Sequence, residues 1–186
     1  MIAKGQSNRL PGKNLKEFNG KPMFLWNLKK LLMIFDDVYV SSNSNEILEL
    51  AESVGAKPIL RREELCGETP DIPVFQDALR HMGNVDGIVA VHANNPLIDI
   101  DLINKTAYLL LMGSEEVMTC HPMTHGDVYK EQANKVNGSI RGMSKYRLEH
   151  YPDPYKPNPE ILLVDNSIEI ETQSDFDLCQ SQLQSS

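Results

Sequence analysis

The first fourteen residues read Met1-Ile2-Ala3-Lys4-Gly5-Gln6-Ser7-Asn8-Arg9-Leu10-Pro11-Gly12-Lys13-Asn14, a short apolar stub running into a polar loop. Met1 to Ala3 has the character of a strand end whose beginning is missing. Gly5, Pro11 and Gly12 then break any regular structure. A strand followed by a glycine-containing loop rich in cations is how α/β proteins grip phosphates. The glycines let the backbone come close, and N–H groups and cations neutralise the charge. Two common versions are excluded. The loop is not GxGxxG, and it is not GxxxxGK[ST], because six residues separate Gly5 from Gly12 and Asn14 stands in place of Ser or Thr. Lys4, Arg9 and Lys13 are the natural phosphate cations. Ser7 either donates its hydroxyl to a phosphate oxygen or makes a turn.

Outward from this loop, strands and helices alternate. Lys21-Pro22 opens an expected helix to about Phe35, with proline in the first turn. Val38 to Val40 reads as a strand, Glu46 to Val54 as a helix stopped by Gly55, and Lys57 to Leu60 as a short strand. A helix is expected from Ile72 to Met82, and Gly87 to His92 is a buried strand of the parallel kind. Asp99 or Asp101 caps a helix ending near Gly113, and Val117 to Cys120 is a further strand. The chain closes with a strand at Ser167 to Glu171 and a helix from Asp175 to Gln184. This alternation predicts an α/β, Rossmann-like fold with a mostly parallel sheet flanked by helices.

Residues 125–160 break the rhythm and read as a short insert or arm within a single domain, 1–186. Asn137-Gly138 between Lys135-Val136 and Ser139-Ile140 is a hairpin signal. Tyr146 to Pro159, rich in tyrosine and proline, reads as an irregular arm. There is no internal repeat.

Apolar residues make up 41% and charged residues 24% of the 186, enough for a core and too apolar for wholesale disorder. The net charge of −8 excludes a dedicated nucleic-acid or anionic-membrane binder. The longest apolar runs, Leu31 to Phe35 and Tyr108 to Met112, are far too short to span a membrane. Polar residues from Lys4 onward argue against a signal peptide. Cys66, Cys120 and Cys179 are widely spaced, so reduced thiols in a cytoplasmic setting are expected. Residues 1–30 carry seven basic residues and one acid, a local +6 on an acidic chain. Such a cluster suits a small anionic ligand.

The loop resembles the nucleotide-binding loop of the acylneuraminate cytidylyltransferases, the CMP-sialic acid synthetases and their CMP-Kdo synthetase relatives. That family opens with a pattern like A-[RK]-G-x-S-x-R-[LI]-P-x-K-N, matched here by Lys4, Gly5, Ser7, Arg9, Pro11, Lys13 and Asn14, followed by Asn19-Gly20-Lys21-Pro22. Val40-Ser41-Ser42-Asn43 with Glu46-Ile47, Leu60-Arg61-Arg62-Glu63-Glu64-Leu65, His92-Ala93-Asn94-Asn95-Pro96-Leu97 and Ile168-Glu169-Ile170-Glu171-Thr172 fall in the family's block order. Asn43 and the two glutamates stand where Asp is usual, and His92-Ala93 replaces Gln-Pro.

The resemblance implies a GT-A-like nucleotidyltransferase that joins CMP from CTP to a small acidic, sialic-acid-like sugar and releases pyrophosphate. It implies Mg²⁺ as cofactor and a possible homodimer through the insert. Lys4, Arg9 and Lys13 take catalytic roles, and Gly5, Ser7, Asn14 and Arg61 bind nucleotide. Asn94 and Asn95 face the sugar, and Glu169 and Glu171 hold the metal. Another nucleotide with a sugar phosphate, or a non-catalytic nucleotide-binding relative, are the alternatives.

The residues themselves carry plainer readings beside these. Glu169 and Glu171, at i and i+2 on a strand, project from one face, as Mg²⁺ ligands or as charges on an exposed edge. Asp99 and Asp101 fit helix caps. Arg61 contacts ligand or pairs with Glu63 or Glu64. Asn94 and Asn95 contact ligand or cap the turn before Pro96. His92 reads as a core histidine. Pro122 forbids a helix through His121 and His125, so they make no zinc pair.

Overall fold

The computed structural model describes residues 1–67, 69–121, 136–150 and 160–184. Ile2 is the hub of the sheet. It bridges Ser41 on one side and His92 on the other, both in parallel, and so joins two groups of strands. On one side lie β3 (Tyr39–Ser42) and β4 (Lys57–Leu60), paired in parallel. On the other lie β5 (Gly87–Val91), β7 (Val136–Ser144), β6 (Glu116–Cys120) and β8 (Ile161–Val164), in that order. Strand β7 runs antiparallel to both β5 and β6, while β6 and β8 are parallel. The sheet is mostly parallel, as expected.

Helices α1 (Phe24–Ile34), α2 (Asn45–Ser53), α3 (Asp71–His81), α4 (Ile100–Leu111), α5 (Lys145–His150) and α6 (Gln173–Gln184) complete the fold. Ser44 caps α2 through Ile47 N–H, and Asp99 caps α4 through Asp101 N–H. The main core sets Phe24, Leu28 and Leu31 of α1 and Ile47 and Ala51 of α2 against Val40, Val91 and Ile140. A second cluster joins Phe18, Met23, Ile170 and Phe176, with Phe18 and Phe176 edge to face at 5.4 Å. Among the described residues no helix is long and apolar enough to cross a membrane.

The structure corrects four local expectations. Lys21-Pro22 does not open a helix: it is β2, paired with β1 (Glu17–Phe18) around Asn19-Gly20. Both turn residues have positive φ, 46° and 83°, the requirement of a two-residue hairpin whose twist matches its strands. Asn137-Gly138 does not turn a hairpin, because β7 continues through it. There β7 runs from Val136 to Arg141 while β6 covers only Cys120 to Met118, and Gly138, at φ 62°, takes up the irregularity.

The arm expected from Tyr146 begins as helix α5, anchored by fully buried Arg147 and Leu148; residues 151–159 lie outside the described ones. His125 and residues 125–135 of the insert do so too. The closing strand is Ile161–Val164, not Ser167–Glu171. Asp165 Oδ1 accepts from both the N–H and the hydroxyl of Ser167, a local turn that ends the strand early.

Candidate active site

A cleft of about 610 Å³ opens at the carboxyl ends of the parallel strands, the edge where open α/β sheets bind ligands. Its walls come from the N-terminal loop, Asn43 after β3, Arg61 after β4, Asp71 at the start of α3, His92 to Asn94 after β5, and Glu169 and Glu171. The N-terminal loop is held open by its own contacts. Gly5 N–H donates to Asn43 Oδ1 at 2.8 Å, and a Cβ on Gly5 would stand 2.6 Å from Ser44 Cβ. Only glycine permits that approach. Asn14 Nδ2 donates to the Lys4 carbonyl at 2.7 Å and pins the loop across its neck. Ser7 Oγ accepts from Leu10 N–H at 3.4 Å, the turn role.

The three cations differ in setting. Lys13 is buried at 7% exposure; its Nζ donates to the Ile170 carbonyl at 2.7 Å and lies 3.1 Å from Glu171 Oε1. Arg9 is exposed, with Nη1 3.5 Å from Glu171 Oε2. Lys4 Nζ donates to the Gly67 carbonyl at 2.8 Å across the cleft mouth. Asn94 Nδ2 donates to Glu169 Oε1 at 3.0 Å and to Glu171 Oε1 at 2.9 Å. The two carboxylates therefore converge although their segment is not a strand. One amide group thus joins the two carboxylates.

Asn95 lies outside the cleft, and Arg61 lies at its border. Asn95 points away from the cleft, fully buried, with Nδ2 3.4 Å from Asp165 Oδ2. Arg61 borders the cleft, but its guanidinium is buried and donates to the Ser41 hydroxyl (3.2 Å) and carbonyl (2.8 Å). It braces β4 against β3 rather than pairing with Glu63 or Glu64. Burial lowers its pKa from the ordinary arginine value, partly opposed by Cys66, Asp71 and Asp77.

The sequence reading overlooked Asp71 and took His92 for a core residue. Both line the cleft, with His92 Nε2 3.1 Å from Asp71 Oδ2. Nε2 is buried, and Asp71 is not aligned with it as a hydrogen-bond acceptor. Burial pushes the Asp71 carboxyl up, but His92, Arg141 and Lys4 outweigh it and hold the group below the usual carboxylate range. Acid at the first turn of α3 reads as an ordinary helix start, so only the fold reveals its second use.

A sequence profile described as Cytidylyltransferase matches residues 2–183. The chain belongs to the cytidylyltransferase family. It is 34% identical over 140 residues to a 3-deoxy-manno-octulosonate cytidylyltransferase of Francisella tularensis subsp. novicida, covering 72% of this chain and 55% of that protein. It is also 34% identical over 114 residues to a pseudaminic acid cytidylyltransferase of Campylobacter jejuni, covering 57% of this chain and 49% of the relative. The chain thus spans about half the length of the curated relatives it matches. The fold of a CMP:2-keto-3-deoxy-manno-octonic acid synthetase, solved with CTP, superimposes with a TM-score of 0.80 at 15% identity, covering 99% and 96% of the two chains. A cytidylyltransferase from Leptospira borgpetersenii gives 0.73 at 21% identity, covering 100% and 85%.

Proposed function

We propose that this cytidylyltransferase transfers CMP from CTP to a hydroxyl of a small acidic sugar and releases pyrophosphate. The observation that carries the reading is the convergence of Lys4, Arg9 and Lys13 with Glu169 and Glu171 in one cleft at the carboxyl edge of the sheet. Family relatives act, by their names, on 3-deoxy-manno-octulosonate and pseudaminic acid, and a sialic-acid-like acceptor belongs to the same class.

In this reading the sugar hydroxyl attacks the α-phosphorus and gives up its proton to solvent, a P–O bond forms, and the bond from the α-phosphorus to the bridging oxygen breaks, so that pyrophosphate leaves. Most of the catalysis is positioning and charge neutralisation. Arg9 and Lys13 meet the triphosphate and Lys4 closes over it, exchanging the Gly67 carbonyl for phosphate oxygen. Backbone N–H groups beside Gly5 and Gly12 let the phosphates approach closely.

Glu169 and Glu171 fit a divalent cation by donor type and convergence. Mg²⁺ takes one or two protein carboxylates and completes its octahedron with water and phosphate oxygens. Bound there, it would neutralise charge on the phosphates. Asn94 orients the pair.

A homodimer through the insert of residues 125–160, and a cytoplasmic setting, complete the proposal. The test is pyrophosphate release across the four nucleoside triphosphates, with sialic acid, Kdo and hexose 1-phosphates as acceptors. Release with CTP and a 2-keto acid sugar is expected. Release only with a hexose 1-phosphate, or none with any pair, overturns the reading. Light scattering at high protein concentration tests the dimer.

A further inference from the structure

Helix α1 holds the turn that carries Asn94. Asn27, fully buried, donates through Nδ2 to the carbonyls of His92 (3.1 Å) and Asn95 (2.7 Å). One turn further along α1, Lys30 Nζ donates to Asn27 Oδ1 (3.1 Å) and to the carbonyls of Pro96 (2.8 Å) and Ile98 (2.6 Å). An ammonium has three N–H donors, and here each meets an acceptor. The other side of the turn faces the candidate site: Asn94 O accepts from Ile170 N–H at 2.8 Å while its side chain spans Glu169 and Glu171. Two side chains of one helix thus grip four carbonyls immediately behind the residue that orients the carboxylate pair.

We propose that Lys30, acting with Asn27, is a positioning residue that clamps the turn from His92 to Ile98 and so keeps Asn94 between Glu169 and Glu171. The inference rests on the cytidylyltransferase reading for the importance of that pair, and on geometry for the clamp. The lysine is half-buried against four neighbouring elements. Burial pulls its pKa down to about 8; Asp99 at the start of α4 raises it, Lys21 of β2 lowers it, and Asp165 after β8 and Cys179 of α6 raise it. Burial pushes the Cys179 thiol up as well, to about 11.

Once deprotonated, Lys30 keeps two N–H donors for three acceptors and loses the charge that strengthens them. The grip loosens as pH rises through about 8. Stability moves the other way. An unfolded lysine holds its proton to about pH 10.4, so between the two values the unfolded chain binds more protons, and this group's contribution to stability rises with pH. A purely structural lysine therefore predicts no alkaline loss of activity from this group, whereas a clamp predicts one.

The experiment compares pyrophosphate release by wild type, Lys30→Arg and Lys30→Met from about pH 6.5 to 9.5, spanning the depressed lysine value. Wild type is expected to lose kcat on an alkaline limb near pH 8. Lys30→Arg, which stays charged, removes that limb. Lys30→Met keeps the length of the side chain without its donors. It is expected to lose about tenfold in kcat at neutral pH, with KM for CTP changed less than about twofold. Combined with Asn94→Ala it adds no further loss, because both changes act through the same amide. An alkaline limb unchanged in Lys30→Arg, or losses that multiply in the double variant, overturns the clamp. If Lys30→Met does not fold, the Lys30→Arg profile decides alone. If wild type releases no pyrophosphate, the cytidylyltransferase reading fails separately. Calorimetric Mn²⁺ titration then decides the clamp: weaker binding in Lys30→Arg at pH 7 than at pH 9 relative to wild type is not expected, whereas wild-type affinity falling through pH 8 is, and a flat wild-type profile overturns it.

Discussion

Arg9 and Lys13 come from one loop and face one carboxylate, Glu171, yet they answer to different forces. Arg9 is largely in water, so its pairing with Glu171 adds little to stability. Arg9→Ala is expected to weaken CTP binding or turnover at least about tenfold, near 1.4 kcal/mol, with an unchanged melting temperature. Lys13 is buried and holds the Ile170 carbonyl, so Lys13→Ala is expected to lose the same activity and also to lower the melting temperature. Calorimetric CTP titration with a thermal melt of each variant checks the contrast. Equal melting temperatures for the two variants would contradict this division of labour.

The carboxylates divide in a similar way. Glu171 contacts Arg9, Lys13 and Asn94, whereas Glu169 meets Asn94. Glu171→Gln keeps shape and removes charge, and a steep loss of metal-dependent turnover is expected, larger than that of Glu169→Gln. Mg²⁺ titration of pyrophosphate release in both variants checks it. Full metal-dependent activity in the double Gln variant would move the metal elsewhere.

At the scale of elements, the junction of β5 and β7 has the least tolerance. A Cβ on Gly87 would lie 2.5 Å from the Met143 carbonyl oxygen, a backbone atom in the paired strand. Gly87→Ala must push the strands apart at the end of β5, and a loss of about 2 kcal/mol in urea unfolding is expected, within the range for overpacking. Gly142 offers a contrast. There the obstruction is Thr106 Cγ2 at 2.5 Å and Leu110 at 3.1 Å, side chains of α4 that can rotate. Gly142→Ala is expected to cost less than Gly87→Ala, and the same melts compare them.

Across the whole molecule, the antiparallel strand β7 ties the sheet to α5 through a buried charge cluster. Arg141 Nη2 of β7 and Arg147 Nε of α5 each lie 2.8 Å from an oxygen of Glu116, which is 2% exposed. Removing the shared carboxylate takes a hydrogen-bonded partner from two buried guanidiniums. Glu116→Gln is expected to destabilise by about 3 to 5 kcal/mol, and urea unfolding followed at two wavelengths measures it. The same cluster reaches the cleft electrostatically, since Arg141 is among the groups that hold Asp71 ionised.

Local chemistry in the sequence determined the alternation of strands and helices and the cap at Asp99. Those features depend on neighbours within a few positions, where hydrophobic period and capping chemistry act. Long-range packing decided the rest. Asn19-Gly20 and Asn137-Gly138 present the same turn signal, but the first closes a hairpin and the second becomes an irregularity in a strand, because β6 pairs with β7 on both sides of it, at Val136 and at Arg141. Asn94 and Asn95 are adjacent and chemically identical, yet the turn clamped by Asn27 and Lys30 sends one to the carboxylates and the other into the core beside Asp165. Asp71 and His92 meet only because α3 begins where β5 ends. Convergence of residues distant in sequence is a property of the folded sheet, and no local pattern encodes it.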